Sequence, residues 1–278
     1  MKILITGGRG QLGQALQHVL ATDQIIAVDL PEHDITDRKG MGHLLAEHTP
    51  DLIINSAAYT NVDGCVTDPE LAYRANGLGP QNLALLCQQY NIPLVQISTN
   101  EVFNGRDPAP YPEWAPICPP NRYGQSKAAG EFNIRSVWHK AYIVRTAWLY
   151  SPNGRNFIHA ILRRARETGQ LKVVTDEIGN PTYAYDLAVA ISQLIRTDQY
   201  GTYHFVNSGA CSRWAFANEI CRLAGLDDVV NRPILSSEFN RPSTPPPYGQ
   251  LANIAGKAIG IELRPWQDAL AECLSLMT

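Results

Sequence analysis

Long hydrophobic runs are missing from this sequence of 278 residues. No apolar segment approaches the roughly 18–20 residues that a helix needs to cross a bilayer. The N-terminus reaches Gly7 too early to hold the apolar core of a signal peptide. A strong excess of one charge is missing too, because the formal net charge is −3. Such a chain has no electrostatic footprint for nucleic acid or for an anionic membrane surface. We therefore expect a cytoplasmic protein that binds neither.

Metal-binding and disulfide patterns are also missing. The six cysteines form no CxxC pair, and the seven histidines show no HxH or HExxH spacing. A chain of this length can bury a core without a disulfide framework. We interpret the cysteines as free thiols and expect no metal site. The remaining composition, 45% hydrophobic and 18% charged, is typical of a globular protein.

The first half of the sequence alternates short apolar runs with longer helical segments. The predicted strands are 2–6, 25–28, 51–55, 94–98 and 142–145, and the predicted helices are 10–20, 37–47, 70–90 and 122–137. Alternating strands and helices predict an α/β fold with a doubly wound parallel sheet and right-handed crossovers. The strands are nearly continuous apolar runs, which is typical of a sheet covered on both faces.

The alternation breaks down after about Trp148. A helix ending near Thr168, a proline-rich loop at 242–247 and a closing amphipathic helix at about 266–276 are predicted there. We assign residues 1–148 to the domain that holds the sheet, rejoined by about 181–206. Residues 149–180 and 207–278 are assigned to a smaller C-terminal lobe.

A glycine-rich loop joins the first predicted strand to the first predicted helix. It reads Gly7-Gly8-Arg9-Gly10-Gln11-Leu12-Gly13, which has GxxGxxG spacing. Glycines in this place let the backbone approach a pyrophosphate, whose charge the helix N-terminus stabilises. The loop therefore predicts a dinucleotide-binding site.

Two residues point to different nicotinamide cofactors. Asp29 ends the second predicted strand, where a carboxylate can bond a ribose 2′-hydroxyl and disfavours a 2′-phosphate. Arg9 lies inside the glycine loop and could pair with that phosphate instead. The sequence therefore leaves NADH and NADPH as alternatives.

Tyr123 and Lys127 lie four residues apart, on one face of a predicted helix. A free tyrosine has a pKa of about 10, and an adjacent ammonium together with a cationic nicotinamide lowers that pKa toward use as an acid. Lys127 can also hold the nicotinamide ribose. Ser98 and Thr99 end the fourth predicted strand, at the sheet edge where such folds bind ligands. Strand parity does not choose between their hydroxyls.

Together these motifs resemble the extended short-chain dehydrogenase/reductase family, and its dTDP-4-dehydrorhamnose reductase branch most closely, over nearly the whole chain. The segments that carry the resemblance are 7–13, 34–37, 55–63, 98–105, 121–127, 145–150, 156–157, 179–182 and 241–242, with Trp266 near the end. The resemblance implies a Rossmann domain that binds NADPH or NADH and a substrate-binding lobe. It also implies hydride transfer to C4 of a 4-keto-6-deoxysugar nucleotide, with dTDP-4-dehydro-L-rhamnose as the leading substrate.

The resemblance further implies a role for each matching residue. Tyr123 would be the proton donor, Lys127 its partner, and Thr99 the hydroxyl that orients the carbonyl. The residues implied to bind the cofactor are Gly7, Arg9, Gly10, Gln11, Leu12, Gly13, Asp29, Asp34, Ile35, Ala57, Ala58, Tyr59, Asn76, Tyr123 and Lys127. Those implied to bind the substrate are Val62, Thr99, Asn100, Glu101, Trp148, Asn156, Phe157 and Arg241.

The chain departs from the family pattern in two places. Asn100 and Glu101 stand where the family commonly has Asp and Tyr, and a carboxylate near the reacting carbon could alter sugar preference. The acidic residues of a divalent-cation site, described at a dimer contact in some members, map to Ala15 and Tyr185. We therefore predict neither a metal nor that particular dimer, while a homodimer of another kind remains open.

Two other functions compete with the reductase. A nucleotide-sugar epimerase or dehydratase of the same superfamily would retain tightly held NAD, but such enzymes tend to be longer. A non-catalytic binding subunit would resemble the beta regulatory subunit of methionine adenosyltransferase. The intact set of Thr99, Tyr123 and Lys127 argues against a chain that has lost its chemistry. The predicted function is therefore an NAD(P)H-dependent reductase.

Overall fold

The computed structural model describes residues 1–277, and its centre is a six-stranded sheet. The strands are β1 (Lys2–Thr6), β2 (Gln24–Val28), β3 (Leu52–Asn55), β4 (Leu94–Thr99), β5 (Ala141–Thr146), β6 (Leu149–Tyr150), β7 (Gln170–Val174), β8 (Ile178–Gly179), β9 (Thr182–Tyr183), β10 (Gly201–His204), β11 (Cys211–Ser212) and β12 (Val230–Ile234). The large sheet has the order β10-β5-β4-β3-β1-β2, and all its pairings are parallel. This confirms the predicted doubly wound α/β fold.

Helices cover both faces of the sheet. They are α1 (Gln11–Val19), α2 (Arg38–His48), α3 (Gly64–Thr67), α4 (Pro69–Tyr73), α5 (Gly79–Tyr90), α6 (Arg122–Val137), α7 (Phe157–Thr168), α8 (Ala184–Leu194), α9 (Arg213–Leu223), α10 (Ala255–Ala258) and α11 (Trp266–Ser275). In β1, Ile3 and Ile5 belong to the core covered by α1 and α8, whereas Leu4 belongs to the core covered by α2, α5 and α6. This alternation follows from the two-residue period of a strand.

One predicted helix is wrong as a continuous element. The segment predicted at 70–90 consists of α4, a π-helical turn at Arg74–Leu78, and α5. Pro80 lies in the first turn of α5 and has no N–H to donate to the carbonyl of Asn76, the partner that an α-helix would give it. A π-helical turn changes the hydrogen-bond partners at this point.

The residues after Trp148 build a second core outside the large sheet. Residues of α7, α9 and α11 form it, and β7 pairs with β12 beside them. The ring of Phe216 stacks on that of Phe157 at 5.5 Å and meets the edge of Trp266 at 5.7 Å. The chain returns to the large sheet with α8, which packs on α1, and with β10. The limits assigned to the two lobes stay a prediction.

The proline-rich segment at 242–247 contains no helix or strand, as predicted. It lies against the large-sheet part of the molecule, because Asn121 Nδ2 donates to the carbonyl of Thr244 at 3.0 Å. Within residues 1–277, no helix combines the length and the apolar character that crossing a membrane requires.

Candidate active site

Two cavities, each of about 820 Å³, lie between the large sheet and the second core. The sheet cavity follows the C-terminal ends of β1, β3, β4 and β5. The lobe cavity is lined by α7, β7 and the start of α9. The residues that line both cavities are Gln11, Trp148, Leu149, Arg155 and Arg213. A ligand with two ends could therefore occupy both cavities at once.

The structure brings nearly all of the predicted site residues to these cavities. Those predicted to bind the cofactor line the sheet cavity, Asn76 excepted. The predicted substrate residues of the sheet cavity are Val62, Thr99, Asn100, Glu101 and Trp148. Those of the lobe cavity are Trp148, Asn156, Phe157 and Arg241. The binding roles themselves remain proposals.

The glycine loop is built to let a ligand approach the backbone. Gly7 has φ +70°, and a Cβ atom there would lie 2.6 Å from the amide nitrogen of Ala57. Gly10 precedes α1 and provides no side-chain cap, so amides of the first turn are left for another acceptor. A pyrophosphate fits this arrangement, because helix N-termini favour anions.

Asp29 and Arg9 are both held by neighbouring groups. The two carboxylate oxygens of Asp29 accept hydrogen bonds from the amides of Arg9 and Leu30, each at 2.8 Å. The guanidinium of Arg9 donates to the carbonyl of Leu30 at 2.8 Å and to Glu32 at 2.9 Å. Both side chains of the Arg9–Glu32 pair are exposed, so Arg9 can exchange Glu32 for another anion at low cost.

Asn76 does not line either cavity, and its role in binding the cofactor stays a prediction. It is buried in the π-helical turn, where its side chain accepts from the amide of Tyr59 at 2.8 Å and donates to the carbonyl of Tyr59 at 2.9 Å. It also donates to Ser126 of α6 at 3.0 Å. Asn76 thus positions Tyr59, which does line the sheet cavity.

The structure distinguishes the hydroxyls of Ser98 and Thr99 at the end of β4, between which strand parity does not choose. Ser98 Oγ donates to Glu131 Oε1 at 2.6 Å, in the interior. Thr99 Oγ1 lies on the other side, where it accepts from the amide of Glu101 at 3.2 Å, donates to Asn100 Oδ1 at 3.3 Å and interacts with Tyr123. Thr99 is therefore the hydroxyl beside Tyr123, and it would exchange Asn100 Oδ1 for a substrate carbonyl.

Helix α6 places Tyr123 and Lys127 at the sheet cavity. Asn121 caps the helix by accepting from the amide of Gly124 at 2.9 Å. A Cβ atom at Gly124 would lie 2.1 Å from the carbonyl oxygen of Glu101, so glycine permits the helix to approach the segment that follows β4. Lys127 Nζ donates to the carbonyl of Ile97 at 2.6 Å, which fixes the ammonium beneath the site.

The pKa of Tyr123 is raised, whereas the sequence predicted a lowered value. Burial is the largest cause, the Glu101 carboxylate adds to it, and the Thr99 hydroxyl acts in the opposite direction. Burial also lowers the pKa of Lys127 to about 8, although Glu131 raises it. The phenol therefore keeps its proton at neutral pH, but the raised pKa makes it a weaker acid than a free tyrosine, so proton donation would depend on the lowering by Lys127 and the nicotinamide that the sequence predicts.

A buried ionic cluster below the site was missed by sequence reasoning. The carboxylate of Glu131 accepts from Arg145 Nε and Nη2 at 2.9 and 2.7 Å, from Arg135 at 3.0 Å, and from Ser98. Burial alone would raise the pKa of Glu131, but the bonds and charge of Arg145 hold it below its usual range. The sequence does contain a signal for this cluster: Glu131 follows Lys127 by one helical turn, and Arg145 lies within an apolar strand.

Some predicted substrate residues already have protein partners. Asn156 caps α7 and donates to Gln11 Oε1 at 2.9 Å. Asn100 donates to the carbonyl of Gly249 at 2.9 Å. Arg241 pairs with Asp63, with Nε 3.3 Å from Oδ1. These three side chains therefore shape the cavity walls as well as lining them.

Glu101 keeps one oxygen for a ligand. Its Oε2 accepts from Asn121 Nδ2 at 2.7 Å, while Oε1 makes no hydrogen bond with residues 1–277. Burial raises the pKa of Glu101, and the hydrogen bond from Asn121 together with the charges of Arg213 and Arg241 opposes this. An acceptor oxygen thus faces the same cavity as Thr99 and Tyr123.

Positive charge is concentrated in the lobe cavity. Its cationic lining residues are Arg155, Arg164, Lys172, Arg213 and Arg241, against one lining acid, Glu177. Of these, only Arg241 was predicted. The aromatic rings of Trp148 and Phe157 lie in the same lining. Cations with aromatic rings suit a phosphorylated, ring-containing ligand.

No group of three or more potential metal-binding residues was found within residues 1–277. At the positions to which the cation site of some family members maps, Tyr185 lies against the ring of His18 at 5.9 Å. The expected absence of a metal stays a prediction.

Comparison with known proteins gives consistent matches over the whole length. Residues 1–278 match the family described as RmlD substrate binding domain. The spore coat polysaccharide biosynthesis protein SpsK of Bacillus subtilis is 38% identical, over 98% of this chain and 96% of that protein. The dTDP-4-dehydrorhamnose reductase of Streptomyces griseus is 38% identical, over 97% of this chain and 91% of that protein. A crystal structure of dTDP-4-dehydrorhamnose reductase from Bacillus anthracis in complex with NADP has a TM-score of 0.96 at 37% identity and covers 99% of both chains.

Proposed function

This chain belongs to the family of the RmlD substrate-binding domain, and we propose that it reduces the C4 ketone of a dTDP-4-keto-6-deoxysugar with NADPH or NADH. The leading substrate is dTDP-4-dehydro-L-rhamnose. One observation carries the proposal. Thr99, Tyr123 and Lys127 meet in the sheet cavity, which joins a cationic cavity suited to a nucleoside diphosphate.

The residues that would hold the cofactor form the walls of the sheet cavity. The glycine loop and the uncapped start of α1 would take the pyrophosphate, and Asp29 or Arg9 the adenosine ribose. Lys127 would hold the nicotinamide ribose. The bound nicotinamide supplies the hydride that adds to C4.

The chain's own residues orient and protonate the oxygen of the ketone. Tyr123, which is protonated at neutral pH, transfers its proton to the oxygen as the C=O bond becomes a C–OH bond. The Thr99 hydroxyl donates to the same oxygen and orients it. The ammonium of Lys127 stabilises the phenolate left behind. One hydride and one proton thus convert ketone to alcohol.

Turnover by the purified protein tests this function. We expect dTDP-4-dehydrorhamnose, generated in situ, to drive oxidation of NADPH or NADH, measured in parallel by absorbance. Tyr123→Phe should reduce kcat by about 10²- to 10⁴-fold, the range for loss of a general acid. Binding of NADPH, measured by fluorescence titration, should change little.

The control is Tyr73→Phe, which removes the same hydroxyl from an exposed tyrosine of α4. Full turnover by Tyr123→Phe would contradict the assignment of the proton donor. No turnover by the wild type, with cofactor binding intact, would favour another keto sugar or a binding subunit. Cofactor that copurifies and resists dialysis would favour an epimerase or dehydratase.

The proposal also covers location and partners. We infer a cytoplasmic location, because the nucleotide sugar and the nicotinamide cofactor are cytoplasmic metabolites. We also infer that the protein binds neither nucleic acid nor a membrane. The proposal includes a homodimer as the oligomeric state to be tested. Cell fractionation and light scattering of the purified protein would decide these points.

A further inference from the structure

An arginine that no sequence motif identified stands where the two cavities meet. Arg213 is the first residue of α9 and lines both the sheet cavity and the lobe cavity. Its guanidinium carbon lies 3.6 Å from the centre of the Trp148 ring and 5.2 Å from that of Phe157. The two rings restrict the guanidinium to one position and leave its N–H groups free to donate.

The protein does not saturate this guanidinium. Among residues 1–277 its side chain donates no hydrogen bond, and Nε lies 3.7 Å from the nearest carboxylate oxygen, on Glu177. The side chain is 24% exposed. Burial lowers the pKa of Arg213 to about 10, so it remains cationic at neutral pH. A half-buried cation with free donors favours an anion that has several oxygens.

The position of Arg213 fits one part of a nucleotide sugar. The sugar must reach Thr99 and Tyr123 in the sheet cavity, while the nucleoside occupies the lobe cavity. The diphosphate that links them must then cross the junction. Arg155 is the other charged residue there, and it lies on an exposed loop.

We propose that Arg213 binds the phosphate next to the sugar, and that this contact sets how far the sugar ring enters the sheet cavity. This inference rests on the proposed function, because it takes a nucleoside-diphosphate sugar as the substrate. A planar guanidinium can contact two phosphate oxygens at once, which a lysine ammonium cannot do in the same geometry.

The terminal phosphate of dTDP is the one that the sugar would carry, and dTMP lacks it. Arg213→Met retains an unbranched side chain to pack on Trp148 and removes the charge. We expect it to weaken binding of dTDP about 10- to 100-fold, the range for losing hydrogen bonds to a charged group. Binding of dTMP should change less than about twofold, and isothermal titration calorimetry measures both.

Arg213→Lys should lie between the wild type and Arg213→Met for dTDP, because it keeps the charge without the planar fork. In steady-state reduction, Arg213→Met should raise KM for the nucleotide sugar more than it lowers kcat. Arg222→Met is the matched control, since Arg222 lies on the same helix, is exposed and pairs with Glu219. NADPH binding and the melting temperature report whether each variant folds.

Two results would overturn the assignment of Arg213 alone. One is equal weakening of dTDP and dTMP, which would show an effect on the nucleoside and not on the phosphate. The other is unchanged binding of dTDP by a folded Arg213→Met. If the wild type binds neither nucleotide, both the assignment and the proposed substrate class fail, so the two failures are distinguishable.

Discussion

At the scale of single residues, Glu101 is the strongest candidate for choosing the sugar. Its free Oε1 faces the cavity of Thr99 and Tyr123, and Asn121 fixes its other oxygen. The oxygen atoms of a carboxyl group accept hydrogen bonds from sugar hydroxyls. A hydroxyl next to the ketone is the nearest donor that such a sugar offers.

We expect Glu101→Gln to lower kcat/KM about tenfold for a sugar that carries this hydroxyl, because the amide is a weaker acceptor. An analogue without the hydroxyl should lose less than about twofold. Comparing the two substrates measures the preference directly, and Glu101→Tyr tests the residue that the family commonly has. Equal losses on both substrates would assign Glu101 to the fold of the site and not to recognition.

Lys127 should make stability depend on pH. Its pKa is lowered from 10.5 to about 8 by burial, so between these values the unfolded chain binds more protons than the folded one. Stability from this group therefore rises as pH increases through that window. Between pH 7 and pH 10 the wild type should gain about 2–3 kcal/mol relative to Lys127→Met.

Urea unfolding of both proteins at several pH values measures this difference. Lys39→Met, which alters an exposed lysine of α2, provides the control and should show no comparable trend. A difference that stays flat or falls with increasing pH would contradict the burial of a charged Lys127.

The roles of single residues were predictable where the spacing in the sequence brings the side chains together. They were not predictable where the packing of distant segments determines the role. The four-residue interval identified Tyr123 and Lys127, because a helix brings such pairs to one face. The choice between Ser98 and Thr99 needed the position of Glu131, which is far away in sequence. Arg213 belongs to no sequence motif. Its position is determined by contact with the ring of Trp148, which lies 65 residues earlier in the sequence.

At the scale of elements, α6 is held to the sheet by charge as well as by apolar contact. Glu131 and Arg145 join α6 to β5, and both side chains are almost completely buried. Removing one member of such a pair leaves the other charge buried without its partner. The pair also matters to the site, because Glu131 raises the pKa of Lys127 one turn away.

We expect Glu131→Gln to lower the free energy of unfolding by about 3 kcal/mol or more, the range for breaking a buried pair. Arg135→Ala removes the half-exposed partner of the same carboxylate and should cost less than about 1 kcal/mol. Chemical denaturation of both variants tests this. Similar small losses in the two proteins would mean that the cluster contributes little to attaching α6.

Most helices and strands were predictable because the apolar residues of each one recur at a single period, that of a helix or that of a strand. The predicted strands of the first half agree with β1 to β5 within a residue or two, and α6 agrees at both ends. The π-helical turn was not predictable from apolar periodicity, because it depends on where Pro80 removes one donor. That turn is also what directs Asn76 toward Tyr59.

At the scale of the whole molecule, the sequence predicted a second lobe but not the positive charge of its cavity. The break in alternation after Trp148 indicated separate packing, and the second core lies there. The charge of the lobe cavity was not predictable, because Arg155, Arg164, Lys172 and Arg213 are dispersed in sequence and converge only in the fold. A net charge of −3 for the chain conceals this local excess.

The segment that contains Asp63 connects the two parts of the molecule beside the two cavities. Asp63, which follows the sugar-contact candidate Val62, pairs with Arg241 and accepts hydrogen bonds from the amide and hydroxyl of Ser243. Burial would raise the pKa of Asp63, but Ser243 and Arg241 hold it below its usual range. The carboxylate thus attaches the segment that carries Arg241 to the wall of the sheet cavity.

We expect Asp63→Asn to raise KM for the nucleotide sugar about three- to tenfold, because Arg241 loses the charge that positions it. Binding of NADPH should stay within twofold, since the glycine loop is untouched, and stability should fall by about 1 kcal/mol. Asp176→Asn is the matched control, because Asp176 also holds a serine, Ser236, by its amide and hydroxyl, but outside both cavities. If the two variants raise KM equally, the effect comes from general loosening of the lobe. A rise confined to Asp63→Asn assigns it to the contact between the two parts of the molecule.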